Sequence, residues 1–237
     1  MNVEIWSDVV CPFCYIGRRR LEQAMNQFEH DDKVSLTYKS YQLDPNAEKD
    51  PGYDIHEMLA TKYGVPYEEG KKMNDRMAEQ AKEVGLEFNL DQVIPTNTED
   101  AHRLSHYANE HGKMYALMEN MMRAYFTDGQ NVGDHNVLAD LAEEVGLNRE
   151  EALEVLKTSK HKREVANNQQ EAMQIGVQGV PFFVFNEKYA VFGAQPTDVF
   201  LEVLEKVYEE EKSEPKIQVL NGKKSQTEYC DDDSCST

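Results

Sequence analysis

The spacing of apolar positions changes period several times along the chain, and the changes divide it. Residues 2–6 (Asn-Val-Glu-Ile-Trp) alternate as a short strand, and Ser7-Asp8 follows as a turn. A helix is predicted from Cys11-Pro12, because proline suits the first helical position. Leu21, Met25 and Phe28 fall at i, i+4, i+7 and give that helix a buried face, and His30-Asp31-Asp32 ends it. Residues 34–43 alternate again and read as a second strand. Strand, helix, strand is a βαβ unit if the strands run parallel.

Asp44-Pro45-Asn46 and Asp50-Pro51-Gly52 break the pattern, and from 54 to 175 the period is almost entirely helical. Asp54 can cap a helix closed by Gly64; Pro66 opens the next, closed by Gly85. Asn97-Thr98 starts a third, ended by His111-Gly112, and a segment with Met114, Met118, Met121 and Met122 runs to Asp128-Gly129. Asp134 leads a helix closed by Gly146, Asn148 caps one more, and a further helix covers 160–175. The period then shortens. Residues 181–186 read as a buried strand and Asn186-Glu187-Lys188 as a turn. Tyr189-Ala190-Val191-Phe192 completes a hairpin ended by Gly193. A last helix is predicted over 197–211, with Val199, Phe200, Val203, Leu204 and Val207 facing inward. Residues 212–237 are polar, acidic and aperiodic, which predicts a mobile tail.

The order βαβ, helices, ββα is that of an α/β thioredoxin fold carrying a large all-helical insertion. The expected domains are a discontinuous thioredoxin-like domain (1–50 and 165–211), an inserted helical domain (51–164) and the acidic tail (212–237). The outer pieces are expected to fold together, since neither can bury its strands alone.

Composition narrows the partners. With 237 residues, one large domain or two small ones are expected, and 40% hydrophobic residues suffice for a packed core. The 25 basic and 44 acidic residues give a net charge of −19, which repels phosphate backbones and anionic lipid. Neither nucleic acid nor a membrane is an expected partner; solubility is the simpler reading of the acidity. No apolar run is long enough to span a bilayer, and Met1–Trp6 shows no secretory signal, so a cytoplasmic location is expected.

The chain has four cysteines: Cys11, Cys14, Cys230 and Cys235. Structural disulfides are rare in reducing compartments, and two close pairs at opposite ends read as two local chemical devices. Disulfide exchange needs a thiolate, and Cys11 stands where free N–H groups and the helix dipole favour negative charge. Cys14 follows one turn later, so it can resolve a mixed disulfide formed on Cys11. A C-x-x-C pair is also half of a zinc site, but zinc needs four ligands and the other close pair lies in the tail. The order strand, C-x-x-C, helix, strand favours redox chemistry.

Ser7-Asp8-Val9-Val10-Cys11-Pro12-Phe13-Cys14-Tyr15-Ile16-Gly17 resembles the active-site segment of the DsbA family. Pro95-Thr96-Asn97-Thr98-Glu99-Asp100-Ala101-His102-Arg103-Leu104 is similar to a helical segment of its FrnE-like cytosolic branch. Gly179-Val180-Pro181-Phe182-Phe183-Val184-Phe185 is similar to the second active-site loop. The resemblance implies catalysis by Cys11 and Cys14, with Pro12, Phe13, Val180 and Pro181 forming the substrate loop. It also implies a cis Val180–Pro181 bond presenting the Val180 backbone to an extended partner, the plainer alternative being that Pro181 merely opens a strand. Protein or small disulfides and dithiols are the implied substrates. No metal or cofactor is expected, with glutathione a candidate redox partner. The periplasmic DsbA dipeptide ends in His where this chain has Phe13, which supplies no cation. A less acidic Cys11 and a less oxidising couple are therefore expected.

Further candidates each have a plainer reading. Some FrnE-like proteins resemble this chain in a C-terminal cysteine pair, which makes Cys230 and Cys235 a candidate auxiliary dithiol. The three aspartates between them should raise their pKa values. The plainer reading is an unused tail or adventitious metal capture. His102 and His106 have i, i+4 ligand spacing without a zincin glutamate, and with His111 are more simply helix histidines. The methionine stripe could line an adaptable groove but is more often core. Trp6 and Tyr15 flank the cysteines or simply pack, and Asp8 is a proton acceptor or a turn residue.

The function expected is a thiol–disulfide oxidoreductase or isomerase. The same architecture resembles the kappa-type glutathione transferases and 2-hydroxychromene-2-carboxylate isomerases, which typically have Ser where Cys11 stands. A zinc-binding interaction module is the third reading. The sequence leaves the substrate, the direction of electron flow and a homodimer through the helical insertion open.

Overall fold

The structure is a computed structural model. It describes residues 1–213 and two short strands, 229–230 and 235–236. Four strands form the main sheet in the order β2-β1-β3-β4. β1 (Asn2–Ser7) pairs in parallel with β2 (Ser35–Ser40) and antiparallel with β3 (Phe182–Phe185), which forms a hairpin with β4 (Tyr189–Phe192). The two ends of the chain thus meet across β1 and β3, as the strand-burial argument requires.

The pleat of β1 sorts its side chains. Val3 and Ile5 enter the large core, against α1 (Pro12–Gln27) and α9 (Thr197–Ser213). Trp6 turns to the opposite face, where Ala172 of α8 (Lys162–Gln174) joins Val177 and Val184 in a second cluster. α8 also packs on β2, so the boundary expected at 164/165 falls inside its first turn.

β2 is shorter than the alternation of 34–43 predicts. Tyr41 N–H still donates to the Ser7 carbonyl, and beyond it the backbone donors turn to side chains: Gln42 N–H donates to Gln169 Oε1 and Leu43 N–H to Asp8 Oδ2. The helices between β2 and β3 are α2 (Ile55–Tyr63), α3 (Tyr67–Lys82), α4 (Glu99–Glu110), α5 (Met114–Phe126), α6 (His135–Glu144), α7 (Arg149–Lys157) and α8. Their ends follow the expected chemistry. The Asp54, Asp134 and Asn148 side chains accept N–H bonds from the first turns of α2, α6 and α7, and Gly64 closes α2 with φ 64°. Met114, Met118, Met121 and Met122 are all buried, so the methionine stripe is core and forms no groove.

Among the described residues no helix is long and apolar enough to cross a membrane. The expected mobile tail lies outside the described residues, apart from the end of α9 and an antiparallel pair, β5 (Tyr229–Cys230) and β6 (Cys235–Ser236). That pair sets Cys230 directly opposite Cys235. The side chains of both lie outside the described residues.

Candidate active site

β1 ends at Ser7, the chain turns through Asp8 and Val10, and Cys11 becomes the N-cap of α1 with extended dihedrals, φ −93° and ψ 112°. Pro12 occupies the first helical position, where its missing N–H costs nothing. The Cys11 N–H donates to the Asp8 carbonyl (3.2 Å), and the Cys11 carbonyl accepts from Cys14 N–H (3.0 Å). Both cysteines are free thiols, with Cys11 4% and Cys14 3% exposed. Phe13, between them, is exposed.

The second active-site loop comes to Cys11 from across the sheet. The Val180–Pro181 bond is cis, and the Cys11 thiol donates to the Val180 carbonyl at 3.6 Å. Gly17 lets α1 lie against this loop. A Cβ there would stand 3.1 Å from Pro181 Cγ and 3.2 Å from Phe183 Cζ.

Cys14 is held differently. Burial pushes its thiol well above the usual value, and its hydrogen bond to Cys11 and the repulsion between two thiolates push the same way. The Ser7 hydroxyl and the Asp8 N–H oppose them, both stabilising a Cys14 thiolate. The β1 pleat explains Ser7: it lies on the α1 face with Val3 and Ile5. Ser7 is buried, and among the described residues its hydroxyl has no hydrogen-bond partner, which leaves it available to a Cys14 thiolate.

Asp8 is buried. Its Oδ1 lies 3.2 Å from His102 Nε2 of α4, and its Oδ2 accepts from Leu43 N–H at 2.8 Å. The active-site turn is therefore tied both to the helices and to the chain leaving β2. His102 serves Asp8, while His106 Nε2 meets Ser40 Oγ at 3.0 Å. The two histidines do not converge. Among the described residues no group of three or more His, Cys, Asp or Glu is arranged to hold a metal ion.

One turn past Cys14, charged residues lock α1 to α5. Arg18 is almost fully buried and meets Glu22 (2.9 Å), Glu119 (3.0 Å) and the Tyr115 carbonyl (3.1 Å). Tyr15 donates to Glu119 (2.7 Å) and stacks near Phe88 and Phe126. Burial would raise the Glu22 carboxyl, but the Tyr115 hydroxyl and the two guanidinium groups of Arg18 and Arg19 outweigh it and hold it below its ordinary value. Tyr15 thus packs in the same core as the cysteines, while Trp6 packs on the opposite face of the sheet, against Phe182 and α8. Asp8 with His102, and Ser7, are the site residues that sequence spacing left unremarked or underweighted. A turn of Ser-Asp ending a strand is signal for neither role.

A thioredoxin fold with two cysteines at the head of its first helix and a cis-proline loop opposite defines the class. The chain belongs to the DSBA-like thioredoxin domain family, whose family model matches residues 2–205. It is similar to SCO1869 of Streptomyces coelicolor, a probable DsbA oxidoreductase, with 36% identity and a TM-score of 0.86 over 100% of this chain and 99% of that one. It is also 26% identical to the uncharacterized protein YwbO of Bacillus subtilis, over 84% of this chain and 94% of the relative. The cytosolic disulfide reductase DsbM of Pseudomonas aeruginosa shares the fold at 15% identity, with a TM-score of 0.62 over 88% of this chain and 99% of that one.

Proposed function

We propose that this protein is a thiol–disulfide oxidoreductase or isomerase of the FrnE-like branch, working in the cytoplasm through Cys11 and Cys14 on protein or small disulfides. The observation that carries this is the placement of Cys11 as the N-cap of α1, against the Val180 carbonyl, with Cys14 behind it in the first turn. In the reducing direction, Cys11 thiolate attacks a substrate disulfide. One Cys11–substrate bond forms and the first substrate sulfur leaves as a thiolate. Cys14 then attacks Cys11 Sγ, the protein disulfide closes and the second substrate sulfur is released. The proton of Cys14 ends on that leaving thiolate, and the first takes from solvent the proton Cys11 gave up on ionising, so the substrate gains two electrons and two protons in all. Pro12, Phe13, Val180 and Pro181 frame the approach.

Cys230 and Cys235 extend this reading as an auxiliary dithiol. Directly opposed residues of an antiparallel ladder fall within the Cα separation that a disulfide spans. The second reading is a glutathione-dependent enzyme. A 2-hydroxychromene-2-carboxylate isomerase shares the fold at 14% identity, and DsbM has a structure with GSH. Two free cysteines at the helix head favour exchange chemistry over that reading.

Trapping separates the two. A Cys14→Ser variant given a disulfide-bonded protein substrate should accumulate a mixed disulfide on Cys11, and Cys11→Ser should accumulate none. Absence of the trapped species, together with glutathione-dependent isomerisation by the wild type, overturns the exchange reading.

A further inference from the structure

Against the active-site turn, at Asp8 and Val10, lies a cavity of about 470 Å³. It opens between the active-site turn, the aperiodic run after β2, the start of α2 and the segment before α4. That volume is typical of a ligand pocket. Val10, which lines it, directly precedes Cys11 in the chain. Leu43 and Tyr53 line it as well, and they are 46% and 43% exposed, large apolar side chains left open to solvent.

The charges around this cavity are of one sign with a single exception. Asp44, Glu48 and Glu57 contribute carboxylates, and Lys62 is the one ammonium. Asp8 also lines it, but its oxygens are engaged by His102 and Leu43 N–H. Neither Glu48 nor Glu57 has an ion-pair partner among the described residues. An occupant with an apolar stem and a cationic head fits both features. Its methylenes cover Leu43 and Met58, its charge meets the carboxylates, and the Tyr53 ring offers a face to a cation. An extended chain advances about 3.3 Å per residue, so side chains two or three positions from a substrate cysteine held at Cys11 reach roughly 7–10 Å along the surface around the active-site turn. Glutathione, with two carboxylates and one ammonium, meets repulsion here, and the net charge of −19 adds to it at long range.

We propose that this cavity takes a lysine or arginine side chain of a polypeptide substrate, so that the protein exchanges disulfides with cysteines flanked by basic residues in preference to glutathione. The proposal rests on the exchange reading above.

The test uses the full-length reduced protein and two cysteine peptides, each activated as the pyridine-2-thiol mixed disulfide. They are identical except for lysine or glutamate two and three residues to either side of the cysteine. Cys11 attacks the peptide sulfur, and pyridine-2-thione leaves with the electron pair. Cys14 then releases the peptide thiol, leaving the protein disulfide. A partly exposed charge pair changes a rate by a factor of about two to five, so several together should favour the lysine peptide by about tenfold at low ionic strength. The advantage should shrink with added salt, and the activated glutathione disulfide should react like the glutamate peptide. A Glu48→Lys, Glu57→Lys double variant should remove the advantage of the lysine peptide or invert it, and Glu48→Gln, Glu57→Gln should cut it to the small residue left by Asp44 and the net charge, with rates on a neutral peptide kept in both. Equal rates for the two peptides, or a preference undiminished in both variants, overturns the cationic pocket while leaving exchange intact. If no peptide reacts, or Cys11→Ser reacts as fast as the wild type, the exchange reading itself falls.

Discussion

Asp8 and His102 stand 94 positions apart in sequence, yet the carboxylate and the imidazole meet at 3.2 Å, each residue only 1% exposed. The contact joins the turn that carries Cys11 to α4. Asp8→Ala removes an acceptor shared by His102 and Leu43 N–H and leaves both without it. A buried polar group left unsatisfied costs about 1–3 kcal/mol, so unfolding by denaturant should show a loss of that size. Asp8→Asn, which keeps one amide oxygen for Leu43 N–H, should lose less and retain more exchange activity.

Ser7 is expected to act on the resolving step. Its hydroxyl opposes the burial that keeps Cys14 protonated, so Ser7→Ala should raise the pKa of Cys14 further. Closure of the protein disulfide should then slow by about tenfold, equivalent to one hydrogen bond to a charged group, about 1.5 kcal/mol. Ser7→Thr should recover most of the rate. Rapid-quench analysis of the mixed disulfide measures this step apart from the first attack.

Arg18 serves cohesion. Arg18→Met removes the buried guanidinium between Glu22 and Glu119 and leaves Arg19 as the cation they share. Because both carboxylates are partly exposed and keep Arg19, the loss should fall below the roughly 3–5 kcal/mol of a fully buried broken pair. The variant should melt well below the wild type, and removing the carboxylates as well, by Glu22→Gln and Glu119→Gln, should restore part of the difference.

His106 gives the fold an acid-sensitive point. Burial, then the nearby His102 and His161, lower its pKa to about 4; Glu164 pulls the other way, Lys39 with the histidines, and Ser40 bonds the ring. The unfolded chain takes up a proton near pH 6.5 that the folded chain refuses until about pH 4. Stability from this group is therefore complete above pH 6.5 and is lost as pH falls toward 4. Melting curves across that window should flatten in His106→Gln.

What the sequence shows and what it hides follow from the range of the forces involved. Asp54, Asp134, Asn148 and Gly64 act on their own helices, so their roles are legible from neighbouring residues. Cys11-Pro12-Phe13-Cys14 is legible for the same reason, since strand, proline and helix are all local. Val180 and Pro181 carry a local motif, and the contact with Cys11 follows only because β3 pairs with β1. His102 reaching Asp8 has no local trace. Nor does the early end of β2, where the side chains of Asp8 and Gln169 take the N–H groups of Leu43 and Gln42. The cavity at the active-site turn is built in part from that aperiodic run, which offers no pattern to read.

The central claim is that Cys11 and Cys14 form one redox couple. Its most direct measurement is the thiol–disulfide equilibrium of the full chain against a glutathione redox series, repeated in Cys11→Ser and in Cys230→Ser, Cys235→Ser. A two-electron transition in the wild type that vanishes in Cys11→Ser and persists in the tail variant is the expected result, with any shift in the latter measuring the tail's share. No transition in the wild type, or one that survives Cys11→Ser and disappears with the tail cysteines, would contradict the account.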